Sequence, residues 1–169
     1  WMSTMARRIP NAGVFTNLTS DHLDLHGRVE GYLAAKASLF SGLGASPDHR
    51  AIVNADDPAS ERILAATACP ATTFAIHHGA DLRARDLAAG LRELRLTIES
   101  PRGTFPVTLR LTGWYNAYNA LAATGVGLCL GLTPAQTATA LAAFQPVARR
   151  SQVLTITSGV HLLNDCYNA

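Results

Sequence analysis

Residues 12–54 read AGVFTNLTSDHLDLHGRVEGYLAAKASLFSGLGASPDHRAIVN, and this stretch decides the fold class. Ala12–Leu18 (AGVFTNL) reads as a buried strand. Ser20–Gly27 (SDHLDLHG) is polar and turn-like. Val29–Leu43 carries apolar residues at helical spacing and runs into Gly44, which suits a helix stop. Arg50–Asn54 (RAIVN) returns to a short apolar strand. A strand, a loop, a helix and a second strand in that order are the parts of a parallel crossover unit.

Toward the C-terminus, Asp56-Asp57-Pro58 supplies an acidic cap and a first-turn proline, predicting a helix to about Ala68. Thr72–Ile76 predicts another strand. The expected architecture is therefore α/β, with a mostly parallel sheet flanked by helices. Leu91–Glu99 and Phe105–Leu111 then alternate apolar and polar around Ser100-Pro101-Arg102-Gly103, predicting an antiparallel hairpin on the sheet's edge. Two helices follow, Tyr115–Leu130 and Pro134–Phe144, with Thr133 and Pro134 as N-cap and first helical residue. Strands at Gln152–Ile156 and Val160–Leu163 complete the pattern.

Composition narrows the function classes. Hydrophobic residues are 48% and charged residues 15% of the 169, enough apolar material for a sizeable core and too much for a disordered tail. No apolar run reaches the roughly 18–20 residues that span a bilayer. The opening WMSTMARR has no apolar stretch after its arginines, so no secretory leader is expected. A net charge of +2 gives no argument for nucleic acid or an anionic membrane as partner. Cys69, Cys129 and Cys166 are widely spaced and odd in number, which points to a reducing, cytoplasmic setting rather than a disulfide framework or zinc site. Of 14 basic residues, 13 are arginine and one is lysine, Lys36. A codon bias toward arginine would spare a lysine whose chemistry arginine cannot supply.

Four groups of residues are candidates for chemistry. Asp21, His22, Asp24 and His26 crowd a loop after a predicted strand. His and carboxylate ligate metals, and carboxylate suits Mg²⁺; the same residues suit a capped turn with surface histidines. Lys36 lies in a helix among Leu33, Ala34, Ala35 and Leu39. Held among small apolar groups its amine would be neutral and reactive; lying on a helix face, it would keep its charge in water. Asn116 and Asn119, at i and i+3, share a face at a helix start, where amides read a base edge or cap the helix. Arg149-Arg150 and Asp165 flank the last strands. An arginine fork there suits a phosphate, and a solvated pair fits equally.

The order and spacing of these blocks resemble the ATP-dependent Mur ligases of peptidoglycan synthesis, over most of Val14–Ala169. FTNLTSDHLDLHG followed by EGYLAAKASLF resembles the MurE type, and NADDP and YNAYNALAA fit the same family. The ending LNDCYNA resembles the MurF type. The resemblance implies that His22 and Lys36 are metal and catalytic groups. Lys36 matches the family lysine that carries a carbamate and helps bind a magnesium ion. It implies that Asn116, Asn119, Arg150 and Asp165 bind ATP. Implied cofactors are ATP and Mg²⁺. Implied partners are a UDP-N-acetylmuramoyl-peptide and an amino acid or dipeptide, joined through an acyl phosphate.

The family's phosphate loop, G-x-x-x-x-G-K-[ST], does not occur in the 169 residues, and Arg149 stands where the family has Gly. The expected domains are an irregular segment at 1–10, a partial central ATPase domain at 11–150 lacking its first strand-loop-helix unit, and the start of a C-terminal ligase domain at 151–169. Such a piece is expected to be inactive alone. A folylpolyglutamate synthase-like ligase and a non-catalytic binding module are the alternatives.

Overall fold

The computed structural model describes residues 12–18, 29–148, 150 and 152–166. A six-stranded sheet holds β1 (Ala12–Phe15), β2 (Arg50–Asn54), β3 (Ala71–Ala75), β4 (Leu82–Ala89), β5 (Leu94–Ser100) and β6 (Gly103–Leu109), side by side in chain order. Neighbours from β1 to β4 run parallel, and β4, β5 and β6 run antiparallel. The helices are α1 (Val29–Gly42), α2 (Ser60–Ala65), α3 (Asn116–Cys129) and α4 (Pro134–Ala143). A separate hairpin pairs β7 (Gln152–Thr155) with β8 (His161–Asn164) around a 3₁₀ turn at Thr157–Gly159.

Alternation along β2 explains the layering. Ile52 points into a cluster with Phe74, Leu82, Leu94, Ile98 and Leu121, which packs α3 on one face. Ala51 and Val53 point the other way, into a cluster with Phe15 of β1, Phe40 of α1, Leu43 just beyond it and Ile63 of α2. A strand buried on both faces reads as a continuous apolar run, which is how RAIVN reads. On the second face, a Cβ at Gly13 would stand 3.1 Å from Leu43 and 3.3 Å from Phe40, so the bare backbone of β1 lets α1 lie close.

Three sequence expectations are corrected. First, β4 was not foreseen. Its sequence LRARDLAA holds three Ala and an Asp, which are weak strand formers, and no β-branched or aromatic residue. Its register also shifts between Arg85 and Ala88, with Asp86 at φ 52°, a bulge that breaks the alternation. The short β3–β4 link works because the two strands overlap only at Phe74↔Leu82 and Ala75↔Arg83. β4 continues onward from where β3 ends, so no long crossover is needed. Asp81 pins this joint: its Oδ2 accepts from the Thr73 amide and hydroxyl, both at 2.8 Å. Second, the helix after β2 begins at Ser60 and ends at Ala65, shorter than expected, because Asp56 and Asp57 are used elsewhere. Third, β1 ends at Phe15 rather than Leu18. The predicted hairpin does form the sheet's far side, as β5 and β6. Thr133 caps α4 in a full capping box, its hydroxyl accepting from Gln136 N while the Gln136 side chain accepts from Thr133 N.

Candidate functional site

Ligands of open parallel sheets bind outside the carboxyl ends of the strands. Here those ends are tied together by Asn54-Ala55-Asp56-Asp57. Asn54 is buried; its Nδ2 donates to the Thr16 carbonyl at 2.7 Å, and its Oδ1 accepts from Asp56 N at 3.0 Å. Asp57 accepts from Leu18 N at 2.7 Å and from Ala59 N at 2.8 Å, joining the exit of β1 to the entry of α2.

Asp56 reaches the other way. Its Oδ2 accepts from the amides of Ile76 (2.6 Å) and His77 (3.0 Å) and from the Tyr118 hydroxyl (2.9 Å). Its Oδ1 accepts from the His78 amide at 2.9 Å and lies 2.7 Å from His78 Nδ1. The Asp56 side chain is only 6% exposed. Burial pushes its carboxyl upward, but the amides of His77, Ile76 and His78 and the Tyr118 hydroxyl outweigh that and hold it far below the usual carboxylate range. Burial, then the bond to Asp56 and its charge, push the Tyr118 phenol up to about 12.

Tyr118 belongs to the first turn of α3. Before that helix, Gly113 has φ +88°, and a Cβ there would fall 2.4 Å from Tyr115 Cε1, so the Tyr115 ring leans on bare backbone. Asn116 does not cap the helix: Tyr115 is the N-cap, with no side-chain cap bond. Asn116 is buried and instead donates from Nδ2 to the Thr112 carbonyl at 2.7 Å. Asn119 Nδ2 donates to Asn116 Oδ1 at 2.9 Å. A backbone carbonyl can only accept, so Thr112 fixes which end of the Asn116 amide faces it, and Asn116 then fixes Asn119. Asn119 thus offers an acceptor and a second N–H of preset polarity, the pattern by which an amide pairs with an adenine edge.

Two cavities meet at Tyr115 and Asn119. One, of about 450 Å³, is lined by Asn116, Asn119, Arg150 and Asp165 together with Leu111, Tyr115, Phe144 and Val147. The other, of about 390 Å³, lies at the strand ends between Thr16, Asn17, Asn54, Asp56, Asp57 and Tyr118. Both volumes suit small-molecule sites. The four residues that the sequence marks at positions 116, 119, 150 and 165 therefore line one cavity.

Lys36 does not join them. It lies on α1, half-buried, with its ammonium 4.7 Å from the centre of the Tyr32 ring. Of the two readings of Lys36, the helix-face one fits and the apolar enclosure does not: Ala34, Ala35 and Leu39 are exposed. Successive helix positions turn by about 100°, so residues at i−2, i−1 and i+3 cannot all wrap one side chain. The cluster Asp21, His22, Asp24 and His26, and Arg149, lie outside the described residues. Among the described residues no three of His, Cys, Asp and Glu gather into a metal site. Asn54, Asp56 and Tyr118 line the second cavity without being marked by any of the four sequence groups. The available signal was the run of polar residues directly after an apolar strand, which was spent on a helix cap.

No described helix is long and apolar enough to cross a membrane. The family model for the Mur ligase middle domain matches residues 3–127. The UDP-N-acetylmuramoyl-L-alanyl-D-glutamate–2,6-diaminopimelate ligase of Bacillus velezensis is 39% identical over 145 residues, covering 83% of this chain and 30% of that protein. The chain thus spans about a third of the length of such curated relatives. In fold it is similar to MurF from Acinetobacter baumannii, with a TM-score of 0.87 at 24% identity over 95% of this chain and 34% of that one. It is also similar to the MurF ligase from Thermotoga maritima in complex with ADP, with a TM-score of 0.79 at 23% identity over 95% of this chain and 36% of that one. Sequence blocks, sheet order and a family model that spans well over half of the residues agree, and the chain belongs to the Mur ligase family.

Proposed function

We propose that this chain is the nucleotide-holding part of an ATP-dependent ligase that joins an amino acid or dipeptide to a UDP-N-acetylmuramoyl-peptide in a reducing cytoplasm. The observation that carries the reading is the convergence of Asn116, Asn119, Arg150 and Asp165 on one cavity. In this reading residues 11–150 are a central ATPase domain and residues 151–169 begin a C-terminal ligase domain. The relatives named for 2,6-diaminopimelate favour the type that extends a muramoyl dipeptide.

In such a ligase, ATP phosphorylates the substrate carboxylate, and an amine then attacks the acyl carbon and expels phosphate, leaving an amide. The residues of this chain bind and orient. Asn119, its polarity set through Asn116 and Thr112, pairs with the adenine edge. Leu111, Phe144 and Val147 cover the base with apolar surface. Arg150 offers its fork to phosphate or ribose oxygens, and Asp165 accepts from ribose hydroxyls. No nucleophilic side chain is required, because positioning and charge neutralisation supply the rate. Mg²⁺ has no ligand set among the described residues; the groups proposed for it are His22 and a carbamate on Lys36, an anionic oxygen donor of the kind that ion takes.

The test is an ADP titration of the 169-residue chain followed by ligand-observed NMR. Asn119→Ala weakens ADP by roughly tenfold, the loss of one well-placed pair of hydrogen bonds. Equal affinity in the variant overturns the assignment. In bicarbonate, native mass spectrometry reads the Lys36 assignment as a gain of one CO₂ that is absent in Lys36→Arg; no gain in a folded, longer chain that includes the phosphate loop contradicts it.

A further inference from the structure

Asp56 stands outside the adenine-edge cavity, yet it is the most heavily hydrogen-bonded side chain among the described residues. It takes three consecutive backbone amides at the exit of β3 and the hydroxyl of Tyr118 on α3. Tyr118 is the residue before Asn119 and two after Asn116. Its ring also meets Trp114 edge-on, at 6.1 Å between centroids and 64° between planes. The start of α3 has no side-chain cap of its own. Beside the burial of Ala117 and the Asn116–Thr112 bond, the side-chain bond that ties this turn to the sheet is the one from Tyr118 to a carboxylate that is itself locked to the exit of β3. An ionised carboxylate only accepts, so the hydroxyl must donate, and its direction is set.

We propose that Asp56 is a positioning residue for nucleotide recognition, acting through Tyr118: it fixes the first turn of α3 and thereby the depth and tilt at which the Asn116–Asn119 amide pair faces the base. This rests on the reading that the cavity takes an adenine nucleotide. A relay of fixed polarity discriminates between bases only while it is held still. On the edge that an amide reads, adenine presents a donor beside an acceptor, whereas guanine presents two acceptors, one of which would face the Asn119 oxygen. A helix turn free to shift by an ångström would let Asn119 accommodate either base.

Tyr118→Phe is the test, since it keeps the ring and its contact with Trp114 and removes only the hydroxyl. Two quantities are read on the intact 169-residue chain. The first is the ratio of ADP to GDP affinity by ligand-observed NMR. The second is the position and width of the Asn116 and Asn119 side-chain amide resonances without nucleotide. The expected result is a roughly fivefold or larger fall in the ADP:GDP ratio, with both amide pairs shifted or broadened, in a variant whose near-UV circular dichroism is native. A merely structural role lowers the melting temperature and leaves the ratio unchanged. Unchanged amide resonances in folded Tyr118→Phe overturn the proposal whether or not nucleotide binds. If the resonances move but neither wild type nor Asn119→Ala responds to ADP, the nucleotide reading has failed and the proposal for recognition fails with it.

Discussion

Replacing Asp56 with Ala lowers folding stability by about 3 kcal/mol, measured by urea denaturation at neutral pH. The variant strands the Ile76, His77 and His78 amides and the Tyr118 hydroxyl, which all converge on one carboxylate. Orphaned buried donors each cost about 1–3 kcal/mol, and water can reach the amides of the exposed His77 and His78, which keeps the total well below the sum. A loss under about 1 kcal/mol would mean that solvent replaces the carboxylate freely.

The same group sets the acid limb of stability. The folded-state carboxyl of Asp56 is depressed, so its contribution is fully present above the unfolded value of about 3.9 and is lost as pH falls below it. Asp56→Asn therefore has a shallower acid limb than the wild type. Tyr118 acts at the opposite end. Its phenol is raised to about 12 from an ordinary 10.0, so its contribution is present below pH 10 and is lost as pH rises through about 12. Tyr118→Phe flattens that alkaline limb and, by removing one of the donors that lower Asp56, makes the acid limb slightly shallower, less so than Asp56→Asn.

The second large effect lies at the contact of α3 with the sheet. A Cβ at Gly125 would fall 2.8 Å from Ile52 Cγ2 and 3.4 Å from Leu82 Cδ1, and Ile52 is fully buried. Gly125→Ala overpacks this contact and costs about 1–3 kcal/mol, despite the higher helix propensity of alanine. Ile52→Ala opens a cavity and costs about 2–5 kcal/mol. Because the new methyl fills space that the lost side chain vacates, the double variant is less destabilised than the sum of the singles. Additive losses in a double-mutant cycle would contradict the close approach of α3 to β2. The cycle bears on the site as well, since α3 is the helix that carries Asn116 and Asn119.

Periodicity made most of the fold legible. RAIVN and the alternating residues of β5 and β6 report their burial directly, and Thr133-Pro134 announces α4 through local capping chemistry. β4 was hidden because its strand character comes from pairing with β5, not from its own Ala- and Arg-rich sequence. The amide pair at the start of α3 was legible from i, i+3 spacing. The polarity relay from Thr112 through Asn116 was not, because it depends on a carbonyl whose direction only the turn at Gly113 sets. Asp56 looked like a local helix cap because its true partners lie 20 and more residues away.

Occupancy of the cavity at the start of α3 by an adenine nucleotide, as proposed above, has a direct readout. It is tested most directly by photolabelling the 169-residue chain with 8-azido-ADP and mapping the modified peptides. Label is expected within residues 111–119 or at 144–150, blocked by excess ADP and diminished in Asn119→Ala. Label confined to other segments, or label that excess ADP does not block, would contradict it.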